Sequence, residues 1–271
     1  MLCSSELFNH KSCISGTVHS IFNTSVNLAY NSDKIITLLN ENRFLLPYGI
    51  IFSSRIFDQL IKNIDIGEQF NLDSGVLNVG HKFSVKMSEF NVNVRTNSRI
   101  FDFILIRKSI DELFVNYSNT YKNYFKIESV QELFSEMEKL FYNGSLIKYL
   151  IGRGPGLTPS GDDIICGFIY YFRNCIDKNE NIEIISFLNE DKIIPHLNKT
   201  CIFSGNMIKY AIENCYNEFF DKISIYSVSS NYNELKKIIE TKHGSYSGFD
   251  SVAGLCFAEY LNRKIRKNEI K

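Results

Sequence analysis

Residues 152–172 read GRGPGLTPSGDDIICGFIYYF, a loop rich in glycine and proline that leads into an apolar helix. Two capping patterns compete for the start of this helix. Thr158 as N-cap would place Pro159 at the first helical position, and Ser160 as N-cap would place Asp163 three residues later. In both cases backbone N–H groups at the helix start face a loop whose glycines admit a ligand closely. The pattern therefore indicates a site for phosphate or carboxylate.

The alternative interpretation is a tight, well-capped helix entry that binds nothing, because single glycine motifs are weak signals. Four of the chain's 15 glycines and two of its four prolines lie in residues 152–163, and this density favours a ligand site. A P-loop is excluded because no Lys-Ser or Lys-Thr follows the glycines. A dinucleotide fingerprint is excluded because the preceding segment has a helical pattern and no βαβ unit surrounds it.

A second segment repeats the same spacing. Residues 247–254 (SGFDSVAG) match residues 160–167 (SGDDIICG) in having Ser-Gly-x-Asp followed four residues later by Gly. On a helix, that Gly shares a face with the Asp and leaves room for a close partner helix or a ligand. We expect two similar loop–helix units that face each other, with Asp163 and Asp250 equivalent. The alternative is coincidence combined with ordinary capping chemistry.

Other polar residues are candidates on weaker grounds. His243 is either a proton shuttle or anion contact, or a histidine that caps a helix C-terminus. Thr200 and Ser204 form a small, polar helix entry. His19 precedes a β-rich stretch, and a lone histidine of this kind is more often an ordinary surface residue.

Adjacent carboxylates at Asp162 and Asp163 point about 100° apart on a helix, so they need not form a catalytic pair. One would cap the helix while the other reaches an ammonium group, an amide group or a hydrated Mg²⁺. No His/Cys cluster indicates zinc, and no GxSxG elbow is present. Magnesium is thus the one cofactor that the residues suggest.

The rest of the chain predicts an α+β fold. Short apolar runs broken by turn residues predict a β-rich, barrel- or sandwich-like domain over residues 1–110, packed on a mainly helical domain over residues 111–271 that carries the Gly-rich loop. The predicted strands are 15–21, 34–39, 44–52, 75–79, 82–87 and 99–106. The predicted helices are 129–141, which Asn143-Gly144 stops, and 145–151, 163–176, 205–220, 233–242 and 250–265.

Composition narrows the class of protein. The 271 residues carry 30 basic and 30 acidic side chains, and this zero net charge argues against a general nucleic-acid binder. The longest apolar stretches, such as residues 164–172, are too short to span a membrane, and we expect no signal peptide. The seven cysteines are odd in number and include no CxxC pair, which predicts reduced thiols and a cytoplasmic location.

Residues 151–172 resemble the G-x-GPGLTPSGDD signature of a bacterial family long described as of unknown function. The resemblance extends to HSIFNTSVNL (residues 19–28), to the T-x3-S pattern of Thr200 and Ser204, and to SGFDSVAGL (residues 247–255). Arg153 departs from the pattern, which usually has an apolar residue there, and HGSYSGFD is longer than the family's compact HSSGxD form.

The resemblance implies a function. A member of this family is similar to one subunit of the three-component oxamate carbamoyltransferase of anaerobic allantoin degradation, which converts oxalurate and phosphate to oxamate and carbamoyl phosphate. It implies two kinds of protein partner, a succinyl-CoA-ligase-like subunit and another family subunit.

Combining resemblance and residues, we expect an anion on the backbone N–H groups of the loop, with Asp163 and Asp250 orienting a carbamoyl NH₂ and His243 acting as acid or base. The other expected substrate contacts are Gly154, Gly156, Thr158, Ser160, Gly161, Asp162, Ser247, Gly248, Thr200, Ser204 and His19. Two further hypotheses stay open at this point: a non-catalytic structural subunit, and a metal-dependent hydrolase that uses Asp162 and Asp163.

Overall fold

The computed structural model describes residues 1–8, 13–93, 100–176, 188, 190–241 and 247–267. The chain divides into two compact units, Met1–Thr96 and Asn97–Lys271. The first unit contains a curled half-barrel sheet and the second is mainly helical, which confirms the predicted α+β class. The sequence pattern placed the boundary at residue 110, whereas residues 103–110 are the first turns of a long helix.

The first unit is built on one nine-stranded sheet, whose strand order is β8-β7-β6-β2-β3-β4-β5-β1-β9. Most neighbouring strands are antiparallel, but β5 runs parallel to β4, and β9 runs parallel to β1. The strands are β1 (Leu2–Ser4), β2 (Ile14–Ile21), β3 (Ser25–Tyr30), β4 (Lys34–Asn40), β5 (Gly49–Phe52), β6 (Gln69–Asp73), β7 (Val76–Val79), β8 (Phe83–Lys86) and β9 (Asn91–Asn93).

Within the described residues of this unit, two helices and one 3₁₀ turn accompany the sheet: α1 (Ser5–Phe8), α2 (Ser54–Asn63) and the turn Met87–Glu89. Helix α2 is amphipathic and buries Phe57 and Leu60 in the hydrophobic core of this unit.

The strand predicted over residues 44–52 is wrong in its first half, because only Gly49–Phe52 is a strand. Pro47 lacks a backbone N–H to donate to a sheet. Tyr48 has φ +50°, and the amide of Gly49 donates to the carbonyl of Leu46 at 3.0 Å, so the chain turns here.

Every element described in the second unit is helical. They are α3 (Phe103–Phe125), α4 (Val130–Tyr142), α5 (Leu146–Leu150), α6 (Ser160–Asn174), α7 (Glu190–Ile193), a 3₁₀ stretch (Ile194–Lys199), α8 (Ile202–Ile212), α9 (Phe219–Val228), α10 (Tyr232–Thr241) and α11 (Ser247–Arg266). Among the described residues, no helix is both long enough and apolar enough to cross a lipid bilayer.

The strand predicted over residues 99–106 is wrong, because helix α3 begins at Phe103. Asp102 is its N-cap, and one carboxylate oxygen accepts hydrogen bonds from the amides of Ile104 and Leu105, both at 3.0 Å. Two such bonds satisfy amides that the first helical turn would leave unpaired.

The single helix predicted over residues 205–220 is also wrong. Helix α8 ends at Ile212, and α9 begins only at Phe219. Asn214 is in the left-handed conformation at φ +62°, and the amide of Cys215 donates back to the carbonyl of Tyr210 at 2.7 Å. A left-handed residue with such a backward bond is a common way to end a helix.

Helices α6 and α11 form the centre of the second unit, and both are buried on nearly all sides. They approach each other closely through glycine. A Cβ atom on Gly167 would lie 1.9 Å from the carbonyl oxygen of Ser251, and one on Gly254 would lie 2.0 Å from that of Ile164. Side chains at these two positions would therefore hold the helices apart.

Candidate functional site

The Gly-rich loop joins α5 to α6 and depends on glycine at several positions. Gly152, Gly154 and Gly156 all have positive φ, at +75°, +121° and +88°. A Cβ on Gly152 would lie 2.2 Å from the carbonyl oxygen of Lys199, and one on Gly154 would lie 2.5 Å from the amide nitrogen of Ser160. The loop thus folds back tightly on the start of its own helix, and Gly156 remains exposed.

Neither predicted N-cap begins helix α6. Ser160 is the first helical residue and Pro159 occupies the cap position, where it has no side chain to accept a hydrogen bond. The loop supplies acceptors instead: the amide of Gly161 donates to the carbonyl of Arg153 at 2.8 Å, and those of Asp162 and Asp163 donate to Pro159. The amide of Gly161 is therefore already hydrogen-bonded within the protein. The other amides predicted to bind an anion are those of Gly154, Gly156 and Ser160.

Arg153, which departs from the family pattern, is a structural clamp. Its guanidinium lies 3.9 Å above the Tyr149 ring and donates to the carbonyls of Tyr149 and Tyr124, both at 2.9 Å. The side chain therefore fixes the start of the loop, and its hydrogen bonds go to the backbone.

Asp162 ties the loop to helix α8. One of its carboxylate oxygens accepts from the amide of Gly152 at 2.8 Å, and the other accepts from the hydroxyls of Thr200 and Ser204, the latter at 2.7 Å. Burial raises the pKa of this carboxyl, while the three hydrogen bonds lower it. The structure thus brings Thr200 and Ser204 together with Asp162, and all three make contacts within the protein.

Asp163 and Asp250 are buried at the crossing of α6 and α11, with exposed fractions of 7% and 0%. Their surroundings are exchanged: the Ser247 hydroxyl hydrogen-bonds to Asp163, whereas Ser160 lies beside Asp250. The glycine contacts are reciprocal too, because Gly167 of α6 faces Ser251 of α11 and Gly254 of α11 faces Ile164 of α6. The structure therefore supports the predicted equivalence of the two loop–helix units.

The pKa values of Asp163 and Asp250 are both raised, but by different combinations of causes. Burial raises the pKa of Asp250 to about 7, although hydrogen bonds from Tyr121 and Ser160 act to lower it. Burial and then the negative charge of Asp250 raise the pKa of Asp163 well above its usual range, against hydrogen bonds from Ser247 and Thr158. The negative charge of Asp250 thus favours the protonated form of Asp163.

Tyr121 is a part of this cluster that sequence reasoning missed. Its hydroxyl, fully buried in α3, donates to Oδ1 of Asp250 at 2.6 Å. The residue lies in a stretch whose polar neighbours obscured the pattern, but Tyr117, Tyr121 and Phe125 are spaced four apart and all are buried. That spacing was the available signal for a buried helix face.

The remaining predicted site residues are His243, His19 and Gly248. His243 lies outside the described residues. His19 belongs to the first unit, where it sits at an irregularity between β2 and β3 and its Nδ1 lies 3.3 Å from the Ser20 hydroxyl. Gly248 lies in the first turn of α11, next to Ser247.

A metal centre finds little support in these contacts. Over the described ranges, no group of three or more His, Cys, Asp or Glu side chains is placed to hold a metal ion. Both oxygens of Asp162 already accept hydrogen bonds from Gly152, Thr200 and Ser204, so a joint role with Asp163 on one Mg²⁺ would require breaking them.

Two family models match the chain in order. The model described as the AllH family N-terminal domain matches residues 2–92, and the model described as oxamate carbamoyltransferase subunit AllH matches residues 150–259. The chain belongs to the AllH family. The second match contains both loop–helix units, and a subunit of a carbamoyltransferase implies protein partners. Searches among curated proteins and among solved structures found no match.

Proposed function

We propose that this chain is a subunit of an oxamate carbamoyltransferase that converts oxalurate and phosphate into oxamate and carbamoyl phosphate. The observation that carries the proposal is the pair of AllH family matches, the second of which contains the buried Asp163–Asp250 pair. In this reaction a phosphate oxygen attacks the carbamoyl carbon and the bond from that carbon to the oxamate nitrogen breaks. The departing nitrogen then takes up a proton.

The loop would hold the anion. Amides of Gly154, Gly156 and Ser160 lie at or next to a helix N-terminus, where partial positive charge favours phosphate or carboxylate. The hydroxyl of Thr158 connects this loop to the carboxyl pair through its hydrogen bond to Asp163. Asp162 would act by keeping the loop in place through its bonds to Gly152, Thr200 and Ser204. This division of labour requires no excess of Lys or Arg, in keeping with the zero net charge.

The carboxyl pair would handle the carbamoyl group. A protonated Asp163 offers a donor for the oxygen on which negative charge develops, and an ionised Asp250 accepts from the carbamoyl NH₂. In this proposal Ser247 and Gly248 shape the second helix entry, and His243 and His19 remain candidates for proton transfer and substrate contact. The partners would be a succinyl-CoA-ligase-like subunit and another family subunit, assembled in the cytoplasm.

The test is an assay of the assembled complex. We expect Asp163→Asn to lower kcat for phosphorolysis of oxalurate at least about tenfold, because an amide N–H is a weaker donor than a protonated carboxyl group to an oxygen that gains negative charge. Asp111→Asn, which alters an exposed ion pair with Arg107 in the same unit, is the matched control and should leave kcat unchanged. Unchanged kcat and KM in Asp163→Asn would refute the catalytic role.

A non-catalytic, structural subunit is favoured by one observation: several polar groups of the loop are already satisfied within the protein, as Gly161 and Asp162 show. Calorimetry with phosphate, carbamoyl phosphate and oxalurate separates the two functions. A chain that binds none of them yet co-purifies with its partner subunits would be structural.

A further inference from the structure

Two buried carboxyl oxygens at the helix crossing make no hydrogen bond within the described residues. They are Oδ2 of Asp163 and Oδ2 of Asp250. Asp250 has no exposed surface, and Asp163 retains 7%. Folded proteins leave few buried polar atoms unpaired, and two at one place indicate a ligand with polar atoms to match them.

The charges around the pair restrict the chemistry of that ligand. The titratable group outside the pair whose charge acts on Asp163 is Asp162 on α6, and Tyr121 on α3 hydrogen-bonds to Asp250, so both groups are acidic. Two neighbouring buried carboxyls strongly disfavour ionising together, and within the described residues no cation acts on their pKa values, so the pair holds one proton. One free oxygen then belongs to a hydrogen-bond donor and the other to an acceptor.

We propose that Asp163 and Asp250 share one proton and present their free Oδ2 atoms, as donor and acceptor, to a single primary amide or ureido group. Asp163 donates to the carbonyl oxygen of that group, and Asp250 accepts from its N–H. Because Asp250 is ionised, a carboxylate in the same place is repelled. The inference rests on the proposed function and names the part of the substrate that this site recognises.

The first test compares two probes on the full chain by calorimetry at about pH 8, one unit above the pKa of Asp250. Oxamate carries the amide, and oxalate has a carboxylate in its place. We expect oxalate to bind at least about tenfold more weakly than oxamate, because its second carboxylate meets the charge of Asp250. Equal binding of the two probes, or no binding of oxamate, would overturn the inference.

Two isosteric variants should then behave differently. Asp163→Asn keeps a neutral donor, and we expect its affinity for oxamate to stay within about threefold of wild type. Asp250→Asn removes a charged acceptor, and we expect a loss of about tenfold to a hundredfold. Equal losses in the two variants would contradict the assignment of donor and acceptor.

Infrared difference spectra supply a readout that needs neither ligand nor turnover. At about pH 8 we expect the carbonyl stretch of one protonated carboxylic acid in wild type. It should be absent in Asp163→Asn and present in Asp250→Asn and in the control Asp111→Asn. Absence of the band in wild type would overturn the shared proton, whereas the phosphorolysis assay reports on the proposed function independently.

Discussion

Replacing Gly167 by Ala tests the close crossing of α6 and α11 directly. The added Cβ would lie 1.9 Å from the carbonyl oxygen of Ser251, and the obstacle is helix backbone that cannot rotate away. Overpacking of this kind costs about 1–3 kcal/mol, and a backbone obstacle places it near 3. Alanine recovers about 1 kcal/mol through its higher helix propensity. We therefore expect a net loss of about 2 kcal/mol in the free energy of unfolding.

Gly205→Ala is the matched control, since it makes the same change inside helix α8. A Cβ there would meet only the Thr200 methyl group, at 3.8 Å, which is an ordinary contact. The propensity term then acts alone, and we expect a gain of up to about 1 kcal/mol. Urea unfolding followed by far-ultraviolet circular dichroism measures both variants, with equal slopes in urea as the condition for comparing them. If Gly167→Ala is as stable as wild type or Gly205→Ala, the close approach of the two helices is refuted.

Three further predictions concern the carboxyl groups. The folded-state pKa of Asp250, about 7, exceeds its ordinary value of 3.8, so the stability it contributes is complete below about pH 4 and is lost as the pH rises to about 7. At about 1.36 kcal/mol per pH unit the loss is about 4 kcal/mol, and urea unfolding across this range should show a decline that Asp250→Asn flattens; an equal decline in the variant would refute the buried carboxyl. Tyr121→Phe removes the 2.6 Å bond to Asp250, and we expect a loss of about 1.5–3 kcal/mol together with a higher pKa of Asp250 in a carbon-13 titration; an unchanged pKa would show that the bond does not act on the charge. Asp162→Ala leaves three donors unpaired and should cost about 3 kcal/mol in thermal unfolding, clearly more than Asp162→Asn, which keeps one acceptor; equal losses would contradict the bonding described.

The sequence predicted the helix ends and buried helix faces that depend on residues close together in the chain. Helix α4 ends at Asn143-Gly144 as expected, with Gly144 at φ +73°, and α10 buries Leu235, Ile238 and Ile239 on one face. Such features depend on residues three or four positions apart, whose contacts follow from helix geometry alone.

Contacts between distant segments were not predictable in the same way. Asp162 bonds to Thr200 and Ser204, about 40 positions later, and the sequence marked all three residues without indicating that they satisfy one another. The start of α3 was missed because the capping role of Asp102 resembles an ordinary turn in a β-rich stretch. The equivalence of Asp163 and Asp250 was accessible only because one motif occurs twice.

The exchange of serine and aspartate between the two helix entries has a consequence for stability. Asp163 and Asp250 are 87 positions apart, so a molecule bound to both fastens two remote stretches of chain to each other. Such a molecule binds only the folded state, because the unfolded chain does not hold the two groups together. At a concentration 100 times its dissociation constant it adds about 2.7 kcal/mol to the unfolding free energy. The melting temperature therefore rises with the fraction of chains that hold the ligand. A panel of candidate compounds can be ranked by the melting temperature measured with each one.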